Sequence, residues 1–187
     1  MSTTFDPAQL GQQLKDETGI PPLEKWNPEF CGDIDMRIAA DGRWFYEGSP
    51  IGREAMVKMF ARVLWREGDK YFLKTPVEKV GIQVDDVPFF VTQVERRKGE
   101  KGIELIFTTS TGDRVLADAE HPIRVETDPK TGEPSPYLMI RFGMEGKLAR
   151  NLFYQLVELG RVVHDKKGSE LIVDSTGEAF SLGKLRL

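Results

Sequence analysis

An arginine set between aromatic residues on one strand face can stack a planar ring and hold an anion, because guanidinium offers forked donors and the aromatics offer π faces. The stretch DIDMRIAADGRWFYEG, residues 33–48, holds such a set. Two alternating runs flank Asp41-Gly42, a two-residue hairpin signal. With a two-residue turn there, Ile38 faces Phe45 and Arg37 faces Tyr46. Ile34, Met36, Ile38 and Phe45 then form a core face, and Asp35, Arg37, Trp44 and Tyr46 share the other. Downstream, HPIRVET and PYLMIRF are alternating strands joined by DPKTGEPSP. There Arg124, Tyr137 and Arg141 oppose the apolar set Ile123, Val125, Leu138, Ile140 and Phe142. Both faces suit equally well a plain packing role, with each arginine satisfied by a carboxylate such as Asp33 or Asp35, since ordinary interfaces also favour arginine and aromatics.

GSPIGR is a second candidate anion site: Gly48 and Gly52 allow close backbone approach, a helix N-terminus offers N–H groups, and Arg53 adds charge. It lacks the spacing of a nucleotide P-loop, and a plainly capped helix explains it as well. Cys31, in FCGD, has no catalytic signature around it, and His121 and His164 are distant in sequence. Two histidines without a Cys/His cluster make no metal-ligand set, so neither a metal nor a cofactor is expected. Lys58, Arg62 and Arg66 form a basic column on a helix, read as a solvated face beside Glu54 and Glu67.

The elements that position these residues follow from periodicity. Asp6-Pro7 starts a short helix carrying Leu10 and Leu14 and ending near Gly19. The proline-rich IPPLEKWNPEF reads as an extended arm anchored by Leu23, Trp26 and Phe30. Ser49-Pro50 caps a helix running to about Glu67, with the apolar stripe Ile51, Ala55, Met56, Met59, Phe60, Val63 and Leu64. Strands follow around YFLKT and KVGIQV. A second stripe, Met144, Leu148, Ala149, Leu152, Phe153, Leu156 and Val157, sits 93 residues beyond the first, as from Ile51 to Met144, and ELIVDS and GEAFSLG supply two more strands. The same order of hairpin, helix and strands therefore occurs twice, which reads as an internal duplication. Between the copies PFFVTQVERR, GIELIFTTS and DRVLADA add strands. The expected fold is α+β with two lobes, the second a curved antiparallel sheet of about five strands closed by a helix. The expected segments are an N-terminal helix and arm at 1–30, an α+β lobe at 31–86 and a strand-rich α+β lobe at 87–187.

At 187 residues, 40% apolar and 30% charged, the chain can build a sizeable core as one large domain or two small ones. Lys+Arg 26 against Asp+Glu 30 gives a net charge of -4, which argues against general nucleic-acid binding while allowing a local basic pocket. The single cysteine excludes an internal disulfide, no secretory leader opens the sequence, and no run approaches a membrane span, so a soluble cytoplasmic protein is expected.

The blocks CGDIDMRIAADGRWFYEGSPIGR, KTPVEKVGI with PFF, HPIRVE, GEPSPYLMIRF and NLFYQLVE resemble a bacterial family known as domain of unknown function 1285 (DUF1285), from about Trp26 to about Gly160. The resemblance implies two lobes with a repeated motif, the C-terminal lobe superficially like pleckstrin-homology folds, and no established enzymatic activity. It also implies a pocket at the lobe interface for a nucleotide-like ligand, bordered here by GRWFYEGSPIGR and PYLMIRF, and a role in signal transduction. The expected function is a non-enzymatic ligand-binding or regulatory module, with a small anionic ligand between the lobes held by Arg37, Trp44, Tyr46, Arg53, Arg124, Tyr137 and Arg141. The alternatives are an enzyme acting on a phosphorylated small molecule with Asp33 or Asp35 as base, and a protein-interaction module.

Overall fold

Short strands joined by glycine turns dominate the chain, and three of those turns organise it. Glu47-Gly48, Phe142-Gly143 and Thr176-Gly177 all have positive φ at both residues (51° and 81°, 50° and 74°, 51° and 80°). Two consecutive left-handed residues make the tight hairpin turn whose twist matches that of its flanking strands. The computed structural model describes residues 6–14 and 19–185. The chain divides into two compact units, Met1–Pro88 and Phe89–Leu187.

The first unit runs α1 (Pro7–Leu14), β1 (Phe30–Ile38), β2 (Trp44–Tyr46), β3 (Ser49–Pro50), α2 (Glu54–Ala61), β4 (Leu64–Glu67), β5 (Lys70–Lys74) and β6 (Lys79–Val84). Its six strands form one sheet in the order β3-β2-β1-β6-β5-β4. Neighbours are antiparallel except β1 and β6, which are parallel. Met36, Ile38, Leu64, Leu73 and Val80 are buried on one face, together with Phe60 of α2. Arg62, the C-cap of α2, donates from Nε to the Gly19 carbonyl at 2.8 Å and from Nη1 to the Leu14 carbonyl at 3.4 Å, holding the end of α1. The expected α1 stop near Gly19 passes through residues 15–18, outside the described residues.

The first hairpin departs from the expected register. Ala39 N–H donates to the Arg43 carbonyl at 2.8 Å, so the loop is the three residues Ala40–Gly42, with Gly42 at φ 89°. The extra residue moves the pairing by one: Arg37 lies opposite Phe45, and Ile38 opposite Trp44. Because side chains alternate with a period of two, that slip exchanges the faces. Trp44 is therefore a core residue, 3% exposed, and stacks on Phe60 with centroids 6.2 Å apart and planes 18° apart.

The second unit runs β7 (Phe89–Gly99), β8 (Gly102–Thr109), β9 (Arg114–Leu116), β10 (Ile123–Thr127), β11 (Pro134–Arg141), β12 (Met144–Leu148), α3 (Arg150–Leu159), β13 (Arg161–Asp165), β14 (Gly168–Ser175) and β15 (Glu178–Leu185). One sheet has the order β10-β11-β12-β7-β8-β9, antiparallel apart from the β12–β7 pair. A three-stranded sheet, β13-β14-β15, completes the unit. α3 packs against β7 and β14, and β15 lies against β10. Buried Ser175 ties β14 to β8, accepting from Leu105 N–H at 3.0 Å and donating to the Ala117 carbonyl at 2.7 Å.

The duplication is present as topology. In both units a three-strand meander, a helix and a second three-strand meander follow in order, and the first strand meets the last: β1 with β6, β10 with β15. The helical stripes do not align as expected. Only the pairs Met59 with Leu152 and Phe60 with Phe153 are helical in both copies, while Met144 and Leu148 belong to β12 and Leu64 to β4. The Phe142-Gly143 turn starts a strand where periodicity alone continues a helix, and Glu47-Gly48 likewise makes Ser49-Pro50 a strand and delays α2 to Glu54. The turn glycines Gly48 and Gly143 are 95 residues apart, so the true offset exceeds that of the stripes.

The hairpin register generates a direct test by urea unfolding. Trp44→Ala should cost about 3–5 kcal/mol, as for a buried aromatic. Arg37→Ala, on the exposed face, should cost no more than about 1 kcal/mol.

Candidate functional site

Alternation in β5 and β6 places Lys70, Phe72 and Lys74, and Lys79, Gly81 and Gln83, on the sheet face of the first unit away from the apolar core. Register extends the rows across the sheet. Trp65 faces Phe72, Phe72 faces Gly81, and Gly81 faces Asp33; Gln83 faces Arg37 and Lys79 faces Phe30. This face holds an open cleft of about 600 Å³ whose lining includes Phe30, Asp33, Lys70, Lys79, Gly81 and Gln83. Gly81 has a steric reason to be glycine. A Cβ there would lie 2.0 Å from Asp33 Oδ1, so the missing side chain lets the Asp33 carboxylate rest over the strand.

The walls combine aromatic rings and ammonium groups. Phe30 meets Phe72 edge-on at 5.8 Å and 83°, yet remains 55% exposed. Lys79 Nζ sits 5.0 Å from the Phe72 centroid and bonds both Glu67 carboxylate oxygens at 3.0 Å. Trp65 Nε1 donates to Glu67 Oε1 at 3.3 Å, and Lys74 Nζ lies 3.9 Å from the Trp65 ring. The Lys79 hydrogen bond holds the Glu67 carboxyl below the ordinary carboxylate range, while burial pushes the Lys74 ammonium below the ordinary lysine value. Lys70 is exposed and carries no ion pair among the described residues.

The seven residues expected from sequence are divided between the two units. Arg37, Trp44, Tyr46 and Arg53 lie in the first unit, and Arg124, Tyr137 and Arg141 in the second. Arg37 stands 4.9 Å over the Phe45 ring and pairs with Asp85 at 3.1 Å; its ladder partner Gln83 lines the cleft. Trp44 is withdrawn into the core, half-buried Tyr46 lies opposite Met36, and Arg53 is the exposed N-cap residue of α2. Arg124 and Tyr137 do share a face: the guanidinium is 4.6 Å from the ring centroid, with Glu145 gripping it at 3.1 and 2.8 Å and Glu126 also bonded. Arg141 is mostly buried, 3.2 Å from Asp113 and 4.8 Å over the Phe89 ring, and burial pushes its guanidinium down from the ordinary value. Arg37, Arg124 and Arg141 are thus paired with Asp85, Glu145 and Asp113 rather than with Asp33 or Asp35.

Other groups able to do chemistry are locally engaged. His121 Nδ1 is 2.8 Å from Asp118 Oδ1, His164 Nδ1 is 2.7 Å from Ser169 Oγ, and Cys31 Sγ–H donates to the Glu29 carbonyl at 3.3 Å. Among the described residues no three of His, Cys, Asp and Glu group as metal ligands. A second cavity, of about 540 Å³, is lined by five carboxylates, Glu100, Glu104, Asp118, Glu120 and Glu178, against the single cation Lys101, a balance that disfavours an anion. A smaller apolar pocket lies between Leu10, Leu14, Trp26, Val63 and Val77. No helix of the described residues is long and apolar enough to cross a membrane.

The sheet-face cleft was accessible to sequence reasoning through one signal. A glycine inside the alternating KVGIQV marks a close approach across the strand. Its neighbours Phe30, Lys70 and Lys79 come together only through ladder register.

Comparison with known proteins places the chain. A family model described as the N-terminal domain of DUF1285, a domain of unknown function, matches residues 21–87, and the corresponding C-terminal domain model matches 88–182. A crystal structure of a DUF1285 family protein from Silicibacter pomeroyi DSS-3 is 45% identical, with TM-score 0.83, covering 94% of this chain and 95% of that one. Another, from Shewanella baltica OS155, is 33% identical with TM-score 0.52, covering 66% of this chain and 90% of that one. No curated protein matches the chain.

The Glu67 carboxylate gives a pH signature. Its folded-state value is depressed by Lys79, so its contribution to stability is complete above the unfolded carboxylate value and is lost as pH falls through the folded one. Glu67→Gln should therefore flatten the decline of urea-unfolding free energy between about pH 5 and pH 3 relative to the parent.

Proposed function

We propose that this chain, which belongs to the DUF1285 family, is a non-enzymatic ligand-binding module that takes a small anionic, nucleotide-like molecule in the sheet-face cleft of its first unit. The observation that carries the proposal is the cleft itself: an exposed Phe30 ring, an unengaged Lys70 and the Asp33 carboxylate over Gly81 border one open volume of about 600 Å³. A planar base stacks on Phe30, the Asp33 carboxylate and Gln83 amide address its polar edge, and Lys70 meets its phosphate. Stacking of a base on an aromatic ring contributes about 1–3 kcal/mol by alanine substitution. Lys79 contributes less charge, since Glu67 already holds it. Neither histidine lines the cleft, which favours binding over catalysis. A regulatory part in signal transduction follows as the use of such a sensor. A cytoplasmic site of action fits a chain whose sole cysteine, Cys31, has no second cysteine to bridge.

A second reading rests on Asp33. Its carboxylate lines the cleft and forms no ion pair with an arginine among the described residues, as a base acting on a phosphorylated substrate requires. Asp33→Asn separates the two: under the enzymatic reading it abolishes turnover with binding kept within a few-fold, whereas under the first it removes a contact to the base edge and weakens binding itself.

Thermal-shift and calorimetric titration with purine and pyrimidine nucleoside monophosphates should raise the melting temperature. Phe30→Ala and Lys70→Ala should each weaken binding by about tenfold or more. Absence of any shift at millimolar nucleotide, or binding that survives both substitutions together, removes this cleft as the site.

A further inference from the structure

We infer that β13 is a self-complementary edge through which two copies of this chain pair antiparallel, joining their three-stranded sheets into one of six. In its sheet β13 borders β14 alone, leaving one side of its peptide groups with no strand among the described residues. Other sheet margins are guarded. β3 has two residues, β9 three and β4 four, and five-residue β10 is flanked by β15. β13 has five residues, all exposed, contains neither proline nor lysine, and pairs with β14 without a bulge. Proteins normally blunt such an edge with one of those devices, because an open strand recruits another.

The sequence of the strand, RVVHD, selects a second copy as the occupant. Antiparallel pairing centred on Val163 sets Arg161 against Asp165 of the other copy at both ends. The same register sets Val163 against its own counterpart and Val162 against His164. All five positions are used, and the terminal charges are complementary twice over, as a two-fold contact requires. Val162 is 47% exposed and Val163 37% exposed, and β-branched pairs of this kind stabilise cross-strand contacts. Arg161 is already held extended on the sheet by Asp174, with Nε to Oδ2 at 2.6 Å and Nη2 to Oδ1 at 3.0 Å, which leaves Nη1 to meet the second copy's Asp165.

Sedimentation velocity of the full chain over a concentration series tests the pairing. The parent should show a reversible monomer–dimer equilibrium, and Val163→Lys or Asp165→Lys should weaken it by at least about tenfold with unchanged circular dichroism. Register is tested separately in a Cys31→Ser background. Val163→Cys should form a symmetric disulfide under mild oxidation, because directly opposed Cβ atoms lie about 4.5–5.5 Å apart. Asp165→Cys, opposed by Arg161, should not. A parent that stays monomeric at about 100 μM, or a dimer that survives both lysine substitutions, overturns the proposal.

Discussion

Each unit depends on one closure: the first strand of its repeat must return beside the last. In the first unit β1 and β6 are parallel neighbours, so the connection between them must carry the chain over the sheet rather than through a tight turn. α2 makes that crossing and supplies Phe60, against which Trp44 stacks. The core therefore forms where crossing helix and meander meet. In the second unit β15 comes back after α3 to lie against β10, though the two belong to different sheets. Ser175 ties β14 to β8 in the same unit with a buried hydroxyl that both donates and accepts, which avoids the cost of leaving a buried polar group unmatched.

The closure also creates the cleft. Placing β6 between β1 and β5 brings Gly81 between Asp33 and Phe72, two residues of other strands. With no side chain at the crossing point, the aromatic and lysine walls stand apart, and a carboxylate fills part of the space. Elsewhere on the molecule, cations are balanced locally: Arg37 by Asp85, Arg124 by Glu145, and Arg141 by Asp113. Arginine–aromatic pairs do occur, at Arg37–Phe45 and Arg124–Tyr137, and in each the guanidinium also meets a carboxylate. A guanidinium already held by a carboxylate offers little net charge to a ligand.

The residue types of the candidate site were more legible than their grouping. Alternation correctly put Arg124 and Tyr137 on one face of the β10–β11 hairpin, where they lie directly opposite each other. It failed at Trp44, where one additional loop residue reversed the parity of β2. Cleft residues Phe30, Lys70 and Lys79 are far apart in the chain and become neighbours through inter-strand pairing, which no local pattern encodes.

By itself the sequence determined the α+β class, the repeated order of elements and the alternating strands, which rest on local periodicity and turn chemistry, and the family, which rests on resemblance to its members. Tertiary structure decided the register, the ends of the helices and the site. Glu47-Gly48 and Phe142-Gly143 read as ordinary loop or helix residues until the strands on either side pair and require left-handed backbone there. Once those turns are set, Ser49-Pro50 and Met144–Leu148 become strands, the helices shorten, and Gly81 lies opposite Asp33. The physical reason is the same each time: a strand's partner fixes which way its side chains point, and the partner lies far away along the chain.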